Sequence, residues 1–211
     1  MLRRDFTFGL AATTLLARAA RAAGEPVQGK DYTVLTSPAP VTAAAGKIEV
    51  IEFFGYWCPH CRALEPHLEP WLKKLPADVV FRRVPVAWQR AQEPYQRLYY
   101  ALEALGVPQE VHGKVFEALH AQGLRLDTDA GLATFAAANS LDKAKLADAM
   151  KSFGVAAKLR AADQLWKAYG IEGVPTLAVN GRYLTSPALA GSDDRALEVA
   201  EALVRKVRAK Q

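Results

Sequence analysis

Between Ile48 and Phe54 the chain is apolar except for Glu49 and Glu52, and seven residues are too few for a helix. The segment reads as a buried strand, with Lys47 at its start. From Arg62 the period changes: Leu64, Leu68, Trp71, Leu72 and Leu75 fall near one helical face, and Glu69 and Lys73 can pair at i, i+4 on the exposed side. Pro59 stands where a first helical position tolerates proline. A strand therefore turns directly into a helix around residue 58. Asp78 to Val86 reads as a second strand, with Val79, Val80, Phe81, Val84 and Val86 interrupted by Arg82 and Arg83. Pro85 cannot donate to a ladder, which puts it at an edge or a strand end. Residues 23–46 are Ala/Pro-rich and turn-prone, with one strand at Tyr32 to Leu35.

From Ala87 to Gly173 the spacing is helical. Tyr95, Leu98, Leu102 and Leu105 form one stripe, stopped by Gly106 and Pro108; Val111, Val115 and Leu119 form another, ending near Gly123. Asp127 or Thr128 can cap a short helix through Leu132 and Phe135. Asp142 to Phe153 follows, ended by Gly154, and Val155, Leu159, Ala162, Trp166 and Tyr169 make the last, ended by Gly170. A crossover between parallel strands needs only a dozen or more residues. This one has 87, which predicts an inserted helical subdomain, placed at 87–170, within an α/β fold whose first part is 47–86 and whose second part is 171–211. In that second part Thr176 to Val179 and Arg182 to Leu184 flank Asn180-Gly181, a hairpin signal because both central residues must take positive φ. Ser192 caps a closing helix with Leu197, Ala200, Leu203, Val204 and Val207 inward. No internal repeat or low-complexity linker occurs.

Composition adds two things. The first 22 residues look like a secretory leader: Arg3 and Arg4, a short apolar core from Phe6 to Leu16, and small residues at Ala20 and Ala22. That core is too short for a lasting bilayer anchor. Arg3-Arg4-Asp5-Phe6 is also similar to a twin-arginine signal, but Arg-Arg pairs are common in ordinary leaders, and the general secretory route is the reading taken. The leader carries four arginines and one aspartate, so the formal net charge of +5 becomes +2 without it. No nucleic-acid footprint remains. The remaining 189 residues are enough for one good-sized domain, and nothing in them calls for more than a monomer.

The protein has two cysteines, Cys58 and Cys61, two residues apart at the strand-to-helix turn. A thiolate there faces unpaired N–H groups and the positive end of the helix dipole. His60 adds to that field, in the role of a thiolate stabiliser rather than a ligand or base. Such surroundings lower a cysteine pKa to between about 3.5 and 7.5. A value of about 4 would favour the reduced pair by roughly 4 kcal/mol at neutral pH and make the disulfide roughly 90 mV more oxidising. A structural disulfide would close a loop too short to remove much chain entropy. Zinc would need two further ligands, and there is no second cysteine pair or closely spaced histidine pair, only His67 and a carboxylate. His67, His112 and His120 read as surface or packing residues, and Trp71, Trp88 and Trp166 as core or surface aromatics. Trp57, beside Cys58, is a candidate lip for apolar substrate.

Cys58-Pro59-His60-Cys61, following Glu52-Phe53-Phe54, resembles the DsbA family of thioredoxin-fold thiol oxidases. The resemblance implies a thioredoxin-like α/β fold with a helical insertion at this place in the chain. Glu52, six residues before Cys58, matches the family's buried acid beneath the active site, and Pro66, eight after it, matches the proline that kinks the active-site helix. On that basis Glu52 is expected to accept a proton from Cys61 when that thiol attacks a mixed disulfide; an edge-strand glutamate facing solvent is the plain alternative. Val174-Pro175 matches the cis-proline loop that packs beside the disulfide and presents backbone to substrate, although a proline starting a strand also has a plain explanation. Arg83 occupies the place of a basic residue near the buried acid, with a solvated strand charge equally open. The function implied is oxidation of cysteine pairs in newly exported periplasmic proteins, without a cofactor, with reoxidation by a quinone-linked membrane partner of the DsbB type. A reductant or isomerase of the same fold is the alternative, although residues 23–46 leave no room for the dimerisation domain of DsbC- and DsbG-type isomerases. A non-catalytic binding module using the surface around Trp57, and a metal protein, are the readings from other classes.

Overall fold

The computed structural model describes residues 24–107 and 110–210. The leader, and Pro108 as a helix stop, lie outside the described residues.

Five strands, β1 (Thr33–Val34), β2 (Ile48–Phe54), β3 (Val79–Pro85), β4 (Thr176–Val179) and β5 (Tyr183–Thr185), form one sheet in the order β1-β5-β4-β2-β3. Only β2 and β3 are parallel, joined across α1 (Pro59–Leu72); β4 runs antiparallel to β2, β5 to β4 and β1 to β5. All seven residues of β2 are buried, as a strand covered on both faces requires. The long connection from β3 to β4 thus joins strands of opposite direction on either side of β2, and the parallel crossover is α1. The connection carries α2 (Glu93–Ala104), α3 (Glu110–His120), α4 (Asp129–Ala138), α5 (Lys143–Lys151) and α6 (Phe153–Ala168). After β5 come a short α7 (Pro187–Ala190), which the periodicity did not reveal, and α8 (Asp193–Arg208).

The pleat divides the core. Ile48 and Val50 pack with Leu64, Leu68 and Trp71 of α1 and with the inner stripe of α8. Ile51 and Phe53 point the other way, into a core shared with the helical segment, where Phe53 packs tilted on Tyr169. By the same alternation Glu52 lies on the α1 side, between Val50 and Phe54.

Side-chain caps open several of the helices. Thr128, Asp142, Ser152 and Ser192 each accept a backbone N–H of the helix that follows. Ser152 corrects the expected stop at Gly154: it closes α5 and caps α6, so Gly154 lies inside a helix. Leu105 is the C-cap of α2 and is exposed rather than part of its buried stripe. Glu69 leans toward Arg83, at 3.6 Å, instead of pairing with Lys73.

At the hairpin Asn180 and Gly181 have φ of 49° and 67°, and Arg182 N–H closes the turn on the Val179 carbonyl at 3.1 Å. Arg182 itself belongs to the turn, since Val179 pairs with Tyr183. A Cβ on Gly181 would come to 2.4 Å from the Ala39 carbonyl oxygen, in a backbone conformation that already disfavours side chains. Gly181→Ala is expected to cost on the order of 2 kcal/mol, measured by urea unfolding. A change under about 0.5 kcal/mol would mean that residues 39–41 yield easily.

Candidate active site

Cys58 is the N-cap of α1, in extended conformation (φ −93°, ψ 118°), and Pro59 opens the helix. No side chain caps this end, so the first-turn N–H groups are free to face the Cys58 sulfur. The preceding turn is firmly held. Cys58 N–H donates to the Gly55 carbonyl at 2.9 Å, His120 Nε2 meets the Tyr56 carbonyl at 2.7 Å, and Trp57 Nε1 donates to the Val86 carbonyl at 3.2 Å.

The two cysteines are free thiols here with unequal surroundings. Cys61 is wholly buried and Cys58 retains 4% of its surface, which makes Cys58 the sulfur a substrate reaches. Cys58 drops to about 6, first because the Cys61 thiol donates to its sulfur, then through the backbone N–H groups of Cys61 and His60 and the charge of His60, with burial opposing. Burial pushes Cys61 up, and its donation to Cys58 adds to the rise. His60 therefore contributes, as expected, but is not the largest cause. The milder value also shrinks the advantage of the reduced pair: one unit below neutral is about 1.4 kcal/mol, or about 30 mV.

The Val174–Pro175 bond is cis, and the Val174 carbonyl oxygen lies 3.4 Å from Cys58 Sγ, within reach of the thiol proton. Beside it opens a groove of about 700 Å³, lined by His60, Ala63, Val174, Pro175, Pro187 and Leu189 among others. Trp57 does not line it. Its indole folds back over Gly55, where a Cβ would sit 2.5 Å from the ring, and meets Trp88 edge-on at 5.4 Å. Pro66 is exposed and lines a second groove, between α1 and α3.

Glu52 is fully buried on an interior strand, not solvent-facing on an edge. Burial raises its pKa, against the pull of Arg83. Arg83, left open as a solvated charge, is instead 6% exposed and shared: Nε donates to Glu52 at 3.0 Å and an Nη to Glu65 at 2.9 Å. Glu65 is also held at 3.1 Å by His112, whose other ring nitrogen lies 2.7 Å from the Tyr56 hydroxyl. Burial raises Glu65 as well, and drives His112 well below the ordinary histidine range, hence neutral. His112 is thus a buried polar link rather than surface or plain packing. Two signals point to these partners: Arg83 stands opposite Glu52 in the parallel register, and Glu65 follows Cys61 by four residues on the inward stripe of α1. His112 has no comparable signal, because only the tertiary packing of α3 on α1 brings it there. His67 is exposed and pairs with Asp194 at 2.6 Å, far from any ligand role with Cys58 and Cys61.

Comparison with known proteins agrees with this geometry. Residues 78–201 match the DSBA-like thioredoxin domain family, and residues 40–95 match thioredoxin. The thiol:disulfide interchange protein DsbA of Burkholderia cepacia is 44% identical over 97% of this chain and 95% of its own length. That of Pseudomonas aeruginosa PAO1 is 40% identical over 95% and 94%. Among solved structures, the crystal structure of Pseudomonas aeruginosa DsbA superposes with a TM-score of 0.83 at 40% identity, covering 88% of this chain and 96% of that one. The oxidoreductase NmDsbA1 of N. meningitidis gives 0.77 at 31% identity, covering 88% and 95%.

Proposed function

The chain belongs to the DSBA-like thioredoxin domain family, and on that footing we propose a mechanism in which this thiol:disulfide oxidase donates its Cys58–Cys61 disulfide to newly exported proteins. The observation that carries the reading is the asymmetry of the pair: a reachable, acidified Cys58 beside a buried Cys61 whose thiol is hard to ionise.

A substrate thiolate attacks Cys58 Sγ, the Cys58–Cys61 bond breaks, and Cys61 leaves as a thiolate that takes a proton from Glu52. The second substrate thiolate then attacks the substrate sulfur of the mixed disulfide, and Cys58 leaves as its stabilised thiolate. Two electrons have passed from the substrate to the enzyme, and a low leaving-group pKa favours the release. In reoxidation the proton runs back, from Cys61 to Glu52. His60, Val174 and Pro175 line the groove beside Cys58 and form the seat for the substrate backbone; Trp57 supports the turn above it. We place the enzyme in the periplasm, exported through the general secretory route by its leader, monomeric, and recharged by a quinone-linked membrane oxidase of the DsbB type. Residues 87–170 are assigned as the helical insertion, and 47–86 with 171–211 as the thioredoxin-like body.

The test is an equilibrium redox titration of the pair against glutathione, followed through Trp57 fluorescence. A potential displaced from the thioredoxin end toward the oxidising end of the range, around −120 mV, by at least the ~30 mV that the Cys58 thiolate contributes, is expected. A value around −270 mV would instead assign a reductant.

A further inference from the structure

Glu52 and Glu65 share one cation, Arg83, in a buried site, and two carboxylates around one charge hold a proton between them. Which of them carries it decides whether Glu52 can supply Cys61. Counting donors answers this. Glu65 receives Arg83 on Oε2 and faces His112 Nε2 with Oε1. Glu52 receives Arg83 on Oε2 alone, and its Oε1 is buried with no partner among the described residues. His112 is neutral, so one ring nitrogen donates and the other accepts. A Tyr56 hydroxyl that donates to Nδ1, 2.7 Å away, puts the histidine proton on Nε2, aimed at Glu65.

We infer that Tyr56 and His112 are positioning residues that fix the negative charge on Glu65 and thereby leave the shared proton on Glu52, beside Cys61. The inference rests on the reading of Glu52 as the proton partner of Cys61. The titratable and charged groups that face the pair are Cys58 at the N-cap, Cys61 and Glu69 from α1, Arg83 from β3, Tyr99 from α2, His112 from α3 and Tyr56 from the turn. Of these, His112 offers a donor to Glu65 that Glu52 does not share.

The experiment is carbon-13 NMR of the glutamate side-chain carboxyls near neutral pH in chains that keep both groups, with Glu52→Gln and Glu65→Gln used only to assign the two signals. In the wild-type protein Glu52 should show the shift of a protonated carboxyl and Glu65 that of an ionised one. In His112→Phe the two should exchange. His112→Gln, whose amide can still donate, should behave as wild type, and Tyr56→Phe should bring the two shifts together. The rate of attack by a model dithiol on oxidised His112→Phe should fall by about tenfold, one pH unit of proton occupancy on Glu52. A protonated signal that stays on Glu52 in both His112→Phe and Tyr56→Phe overturns the inference. Should Glu52→Gln react at the wild-type rate while the shifts move as described, the role of Glu52 fails and the placement of the charge stands.

Discussion

Arg83→Met is expected to destabilise the protein by about 3–5 kcal/mol at about pH 8, and by only about 1–2 kcal/mol at about pH 5. The size follows from burial: Arg83, Glu52 and Glu65 are 6%, 0% and 9% exposed, and removing one charge leaves its partners without compensation. The pH dependence follows from linkage. Both carboxyls already have folded-state values raised above the unfolded 4.5, by burial, with Arg83 holding the rise in check. Without Arg83 they rise further. A group with a raised folded pKa contributes stability that is complete below its unfolded value and is lost as pH climbs toward the folded one. The variant therefore keeps both carboxyls neutral at low pH, at the cost of hydrogen bonds alone. Above neutrality it falls behind, by up to about 1.4 kcal/mol per pH unit for each carboxyl that the wild-type protein ionises and the variant does not. Urea unfolding at the two pH values checks this, and a deficit equal at both would mean that Arg83 stabilises through packing rather than charge.

How far such a site is legible in sequence depends on the range of the interactions that build it. The redox turn is local. A strand ending at Phe54, a proline at the first helical position and cysteines at the N-cap and third helical residue are fixed by spacing within a dozen residues. Caps at Thr128 and Ser192 are equally local, and they agree with expectation. Gly154 misled because a glycine is tolerated in a first turn when the serine two residues earlier caps it. Strand direction was not legible: the length of the β3–β4 connection marks an insertion, but nothing in its sequence states that β4 runs against β2. The charged residues failed for a similar reason. Whether Arg83 is solvated depends on α1 covering that face of β3, and whether His112 is a polar link depends on α3 meeting α1. Trp57 was misplaced by proximity in sequence, since its side chain turns back over Gly55 and away from the groove beside Cys58.

Cys61→Ala is expected to reduce oxidase activity to the uncatalysed level and to separate two contributions of one thiol. The first is stoichiometric: without Cys61 there is no disulfide to donate. The second is electrostatic. The Cys61 S–H is the largest cause of the low Cys58 pKa, ahead of the backbone N–H groups and His60. Removing it should raise Cys58 from about 6 by about one to two units, toward the ordinary thiol range, read as the pH dependence of thiolate ultraviolet absorbance. Cys61→Ser is equally inactive, but its hydroxyl still donates, so Cys58 should stay within about half a unit of wild type. The contrast between the two inactive variants decides the cause. If alanine and serine both leave Cys58 near 6, the helix terminus and His60 hold the thiolate unaided, and the Cys61 thiol is not the leading cause. If alanine alone raises it, the buried partner prepares its neighbour twice over, as the other half of the disulfide and as the hydrogen-bond donor that makes Cys58 a good leaving group.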